Sequence, residues 1–292
     1  MRLDTLMGIE SSDIADAVNK TKYALFKNGV YTDRKTGPWC LQGYDHTVMR
    51  EIYNVLIEVN DPTKIWHNKI SRGLLVETLD ILLGLNPGNV GRVWKFYNNW
   101  RGKSGKYPYT YGERIFGGKV KQWARCVDML RADPSTRQAN IVIRRPSDVL
   151  RSYTPCSIDI QFYTDNNSCL NATYMMRSND IALGGLARNI FIGCILLTQM
   201  SLATGLQLGK YTHFAVNLHH YTNKPEDRYS TDDIGLKGGP AQTPEYLDAQ
   251  KAKYMGEMLK SFFSGYKLNR KDIQKNLGPY WSYWADRIIR NK

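Results

Sequence analysis

An α/β domain, helices around a sheet, is the architecture that the order of patterns along this chain predicts. Helical periodicity dominates the N-terminal part, alternating strand-like runs cluster between residues 140 and 176, and an almost wholly apolar segment, too long for a strand, follows at 189–204. No Ser/Gly/Pro-rich linker, repeat or low-complexity block divides the 292 residues, so one domain spanning 1–292 is expected.

The elements follow in order. Ser11 and Ser12 can cap a helix carrying Ile14, Ala17, Val18, Thr21 and Leu25 on one face, with Gly29 to close it. Thr32 to Pro38 reads as a basic loop. Further helices are expected from Ser71 to Gly84 and from Lys119 to Arg131, the latter with Val120, Trp123, Val127 and Leu130 aligned. Strands are expected at Asn140–Arg144, Ile158–Tyr163 and Cys169–Met176, with Asp165-Asn166-Asn167 as the turn between the last two. The apolar segment Asn189–Thr204 reads as a buried helix ending at Gly205, then a short strand near Tyr211–Val216 and a helix over Glu245–Phe263. Residues 265–292 form a C-terminal extension of unknown role. Its aromatic, basic end (Tyr280, Trp281, Tyr283, Trp284, Arg287, Arg290) fits a packing helix or a membrane or nucleic-acid contact.

A 42% hydrophobic content with seven tryptophans is enough for a sizeable core, which excludes a disordered chain. No apolar run reaches the roughly 18 residues of a spanning helix, and the first residues lack the order of a signal peptide, so a cytoplasmic protein without membrane attachment is expected. The five cysteines (Cys40, Cys126, Cys156, Cys169, Cys194) show neither CxxC pairing nor metal-ligand spacing; reduced thiols and no metal are expected. The net charge of +13 attracts anions, either along a nucleic-acid surface or in a pocket for phosphorylated small molecules.

Four segments carry chemistry together. Thr154-Pro155-Cys156-Ser157 sets a cysteine at a strand entrance, where a buried structural thiol is the simpler reading. Met176-Arg177-Ser178-Asn179-Asp180 ends the next strand of the hairpin. Its guanidinium suits phosphate, and its charge would lower the pKa of a nearby thiol. Asn189-Ile190 opens the buried helix, and His219-His220-Tyr221 lies beyond the following strand.

In this order the residues resemble the thymidylate synthase family and the related deoxynucleotide hydroxymethylases. The family's Pro-Cys step, Gln-Phe-Tyr strand, Arg-Ser-x-Asp, Leu-Gly turn, Asn-Ile helix start and His-x-Tyr match Pro155-Cys156, Gln161-Phe162-Tyr163, Arg177–Asp180, Leu183-Gly184, Asn189-Ile190 and His219–Tyr221. Upstream, Glu77–Gly84 resembles its glutamate helix, Tyr111-Gly112 its Tyr-Gly pair and Asp133–Arg137 its phosphate-arginine loop, so the likeness runs from about 33 to 221. The resemblance implies a mixed sheet surrounded by helices, a homodimer packed through that sheet and 5,10-methylenetetrahydrofolate as co-substrate, with no specific nucleic-acid partner.

It also implies a role for each residue. Cys156 would add to C6 of a pyrimidine, making C5 nucleophilic. Glu77 would move protons through water, with Tyr111 as a further active-site residue. Arg177, Ser178 and a partner-donated Arg137 would hold the phosphate, assisted by Arg34 or Lys35. His219 and Tyr221 would bind the sugar hydroxyl, and Asp180 and Tyr97 would face the folate. Asn189 would donate to O4 and accept from N3–H of uracil, whereas relatives acting on dCMP carry aspartate there.

Several residues resemble the hydroxymethylases rather than the synthases: Ser157 in place of histidine, Met176 before Arg177, Arg144-Arg145-Pro146-Ser147, and Asn217-Leu218-His219. Gln138 replaces a second phosphate arginine, and the end Ile288–Lys292 is polar at its tip. Tyr97 falls where the synthases place a tryptophan that shields the one-carbon unit, and a smaller phenol could admit water. Production of 5-hydroxymethyl-dUMP, as by a phage-type dUMP hydroxymethylase, is therefore the expectation, in the cytoplasm, that of the host if the chain is phage-encoded. Thymidylate synthase, dCMP hydroxymethylase and an inactive nucleotide-binding relative are the alternatives.

Overall fold

The computed structural model describes residues 6–35, 46–64, 71–86, 88–151, 154–181, 185–221 and 243–290. The strands are β1 (Met7–Ser11), β2 (Val30–Lys35), β3 (His46–Val59), β4 (Asn140–Val142), β5 (Ser157–Thr164), β6 (Cys169–Met176), β7 (Asn179–Asp180) and β8 (Gln207–Tyr221). The helices are α1 (Ile14–Asn28), α2 (Arg72–Leu82), α3 (Val90–Val93), α4 (Tyr111–Ile115), α5 (Gln122–Ala132), α6 (Gly185–Thr204), α7 (Ala249–Phe263) and α8 (Arg270–Arg290). The sheet runs β1-β3-β8-β6-β5-β4, with β2 also on β3 and β7 also on β8. β1/β3, β6/β8 and β7/β8 are parallel and the remaining pairs antiparallel, so the sheet is mixed, as expected.

Local chemistry explains most of the boundaries. α1 is capped by the Asp13 side chain, which accepts from the Asp16 N–H at 2.9 Å, rather than by Ser11 or Ser12. Ser71 caps α2 through the Leu74 N–H at 3.1 Å. On β6, Leu170, Ala172, Tyr174 and Met176 all point into the core, the period-two face that the sequence showed.

Several boundaries differ from expectation. Residues 32–35 are strand, not loop: β2 pairs antiparallel with β3, and the partner strand supplies the backbone bonds that a loop would lack. α5 starts at Gln122 because Gly118 and Lys121 take left-handed backbone conformations, which leaves Val120 outside the helix and 74% exposed. β4 ends at Val142, β8 extends over fifteen residues, and Glu245 precedes α7 as a hydrogen-bonding anchor. α6 begins at Gly185, and its 20 residues are long and apolar enough to span a bilayer, contrary to the sequence expectation. The extra first turn supplies the length. The helix is buried almost throughout, the state of a core helix.

α6 lies between the sheet and the C-terminal helix. Phe191 meets Trp284 at 5.5 Å between ring centroids, and Trp281 packs on Trp284 at 5.1 Å. The Trp281 indole N–H donates to the Glu245 carbonyl at 3.0 Å, and Gln199 of α6 clamps the same segment through Glu245 and Leu247. The aromatic end of the chain is thus a packing helix, kinked at Gly278 where φ is 72°. Trp281→Ala should lower unfolding free energy by about 3–5 kcal/mol, through lost burial and the cavity left behind. Urea denaturation checks this, and a loss under about 1 kcal/mol would place the helix outside the cooperative core.

Candidate active site

Cys156 stands at the entrance of β5, half-buried, with its carbonyl accepting from the Arg177 N–H at 2.9 Å. The hairpin of β5 and β6 brings them together, since Ser157 pairs with Met176. The Arg177 guanidinium is oriented by the Pro155 and Thr154 carbonyls, both at 3.1 Å, and its Nη2 lies 3.9 Å from the Cys156 sulfur. That charge favours the thiolate, but burial is the larger effect and Asp180 adds to it, so the thiol pKa is raised overall. Arg177 acts in the direction expected of it, but desolvation is the larger effect and one guanidinium does not offset it.

Cys156 and Arg177 line a cavity of about 690 Å³ together with Glu77, Tyr97 and Tyr111. Glu77 is 7% exposed on the inner face of α2; the Tyr97 hydroxyl and the Arg188 guanidinium both donate to its carboxylate. Arg188 also stacks over Trp94 at 4.4 Å from the ring centroid. A buried carboxylate left without such partners would be costly. Asp80, one turn along α2, accepts from the Val90 N–H at 2.7 Å and from Asn89 at 3.1 Å. Burial nevertheless raises its pKa to about 6.

The opposite wall carries tyrosines. Tyr111 opens α4 behind the Thr110 cap, and burial, then the neighbouring Cys156, raise its phenol pKa well above the ordinary value. Tyr109 is backed by Arg114, 5.0 Å from its ring centroid. Arg114 is itself held in a buried ion pair with Asp148 at 2.7 Å, which keeps the Asp148 carboxyl below the usual range.

A second group lies along β7. Asp180 pairs in register with His219, which bonds Asn217 at 2.7 Å and meets Tyr221 edge-on at 4.9 Å. Asn189, half-buried in the first turns of α6, contacts Asn179 at 3.5 Å. The Asp180 carbonyl comes so close to Gly185 that a Cβ there would sit 2.2 Å from it, so glycine is what lets α6 start beside β7. Ser178 is half-buried between the two groups.

Thus Cys156, Arg177, Glu77, Tyr97 and Tyr111 share one cavity, while Asn189, Asp180, His219 and Tyr221 cluster beside it. Asp180 is close enough for its charge to act on Cys156. Arg137 is exposed ahead of β4 and does not line the cavity. Leu183, Gly184 and the Arg34 and Lys35 side chains fall outside the described residues. Sequence reasoning missed Arg188, although a lone charge at the head of an apolar helix is a signal. It also missed His213, fully buried on β8 and bonded to Tyr211 at 2.9 Å and Asn179 at 2.8 Å.

Burial depresses the His213 pKa from 6.5 to about 3. The unfolded chain binds that proton first on acidification, so this contribution to stability is complete above about pH 6.5 and is lost as pH falls toward 3. Imidazole chemical shifts at pH 5 should report a neutral His213; a protonated ring at that pH would overturn the assignment.

A family model described as thymidylate synthase matches residues 59–233, more than half of the chain. A thymidylate synthase of Bacillus subtilis subsp. natto is 29% identical over 134 residues, covering 43% of this chain and 47% of that protein. One of Bacillus phage phi3T is 28% identical over 134 residues, with the same coverage. The chain therefore spans about half the length of these curated relatives in the matched region. The thermostable thymidylate synthase A from Bacillus subtilis superposes with a TM-score of 0.62 at 19% identity, over 79% of this chain and 87% of that one, a likeness of fold. With its mixed sheet, its helices and this match over residues 59–233, the chain belongs to the thymidylate synthase family.

Proposed function

We propose that this chain transfers a one-carbon unit to C5 of dUMP and releases 5-hydroxymethyl-dUMP. The observation that carries the reading is the convergence of Cys156, Arg177 and Glu77 on one cavity. Methylenetetrahydrofolate supplies the carbon at the oxidation level of formaldehyde. The cavity volume and the tyrosines Tyr97, Tyr107 and Tyr109 fit a nucleotide beside a flat heterocycle.

Cys156 acts as thiolate: its sulfur bonds to C6, and the ring electrons move to O4, leaving C5 nucleophilic. Arg177 anchors the phosphate beside that sulfur and favours the anion. Glu77 relays protons to and from the pyrimidine through water, its carboxylate held in place by Arg188 and Tyr97. C5 would bond to the methylene carbon brought by the folate. Loss of the C5 proton would break that carbon's bond to the folate nitrogen, so that tetrahydrofolate leaves and the base carries an exocyclic methylene. Water adds its oxygen to that carbon and gives up a proton, and the electrons returning from O4 break the C6–sulfur bond and free the Cys156 thiolate. The phenol of Tyr97 is turned to Glu77, so the position where a tryptophan would exclude water instead carries a polar group next to the proton relay. Methyl transfer, as in thymidylate synthase, is the second reading, favoured by the names of the relatives.

Incubation with dUMP and methylenetetrahydrofolate, with products identified by mass, decides between them. We expect 5-hydroxymethyl-dUMP with tetrahydrofolate, whereas dTMP with dihydrofolate would establish the synthase and exclusive turnover of dCMP would refute the role given to Asn189. Cys156→Ala should reduce turnover to background and abolish the covalent adduct with 5-fluoro-dUMP. Full turnover by that variant would sink the mechanism.

The exposed Arg137 is proposed to complete the phosphate site of a second copy, in a homodimer of the host cytoplasm. Arg34 or Lys35 would assist there, with His219 and Tyr221 on the sugar hydroxyl and Ser178 on the phosphate. Mixing inactive Cys156→Ala and Arg137→Ala chains should restore about a quarter of wild-type activity, because random pairing leaves one intact site in half of the dimers. Failure to regain activity while mixed dimers form would show that Arg137 acts within its own chain.

A further inference from the structure

A line of buried polar side chains leads from the sheet to Asn189. The Asp180 main-chain oxygen can only accept, so Nδ2 of Asn179, 2.9 Å away, must face it. Oδ1 of Asn179 is thereby turned toward Nε2 of His213 at 2.8 Å and Nδ2 of Asn189 at 3.5 Å. Both neighbours must donate to it. His213 is neutral, so its single N–H sits on Nε2, and its bare Nδ1 accepts from the Tyr211 hydroxyl at 2.9 Å. The far end has no slack either: a Cβ on Gly193 would lie 2.2 Å from the Tyr211 oxygen.

The consequence reaches Asn189. If its amide turned over, its oxygen would oppose Oδ1 of Asn179, two acceptors with no proton between them. We propose that Asn179 and His213 are positioning residues that lock the Asn189 amide in one orientation and thereby select uracil over cytosine, a proposal that rests on the dUMP reading above. Uracil offers an acceptor at O4 and a donor at N3, and cytosine reverses both. An asparagine free to rotate meets either base. With its NH2 turned toward Asn179, Asn189 keeps one N–H and its oxygen in the order that matches uracil.

The test compares kcat/KM for dUMP and dCMP, and calorimetric binding of each nucleotide, in four proteins: wild type, Asn179→Leu, His213→Phe and His213→Gln. Asn179→Leu removes the acceptor at similar volume and should lower the preference for dUMP by roughly tenfold or more, mainly through KM, with the KM for folate unchanged. His213→Phe should lower it less, because the Asp180 carbonyl still orients Asn179. His213→Gln, which can again donate to Asn179, should restore the preference. A preference kept by both folded Leu and Phe variants overturns the lock, as does a Gln variant no better than Phe. Should Asn179→Leu not fold, the comparison of Phe with Gln at position 213 decides the matter by itself. A wild type that turns over neither nucleotide, or only dCMP, refutes the dUMP reading itself, whereas a wild type selective for dUMP with unaltered variants refutes the lock alone.

Discussion

Burial of α6 is the constraint on which the rest of the structure depends. The helix is apolar on every side, so it must be covered all round: by the sheet on one face and by Trp281 and Trp284 of α8 on another. A helix held so tightly has its first turn fixed in space. Arg188 is thereby held against Glu77 and Asn189 against Asn179, so packing in the core sets the positions of two polar side chains, one of them bonded to a carboxylate that lines the cavity. The C-terminal helix, far along the chain from the candidate nucleophile, belongs to the same arrangement.

The cost of burying polar groups shapes the site. Each buried charge is paired or shifted: Glu77 with Arg188, Asp148 with Arg114, and Asp80 raised toward neutrality despite two donors. Cys156 obeys the same rule, its thiol held up by desolvation while Arg177 waits 3.9 Å away. An anion bound at Arg177 would therefore offset the charge that favours the Cys156 thiolate. Neutral groups are handled by directionality, and the alternation of donors and acceptors from Tyr211 to Asn189 follows from one backbone carbonyl.

Much of this was legible from the residues. The period-two face of β6, the Ser71 cap of α2, the turn after Thr164 and the buried character of α6 follow from local pattern, because side-chain alternation and capping act over a few residues. The first turn of α6, the strand at 30–35 and the late start of α5 escaped, since they depend on a partner strand or on backbone conformations at Gly118 and Lys121. β1, at the end of the sheet, and β3, paired to β8 on its other side, gave no signal strong enough to be read in advance.

By itself the sequence determined the chemical inventory: an ordered set from Glu77 through Cys156 and Arg177 to His219, and the reading of an enzyme of this family. Only the tertiary structure decided which of those residues meet. It joined Glu77 to Arg188 across 111 positions of chain, added His213 and Asn179 behind Asn189, and supplied the burial that outweighs Arg177 at the Cys156 thiol. The reason is physical. Residue identity fixes what a side chain can donate, accept or carry as charge, whereas desolvation and hydrogen-bond direction depend on neighbours that folding alone brings near.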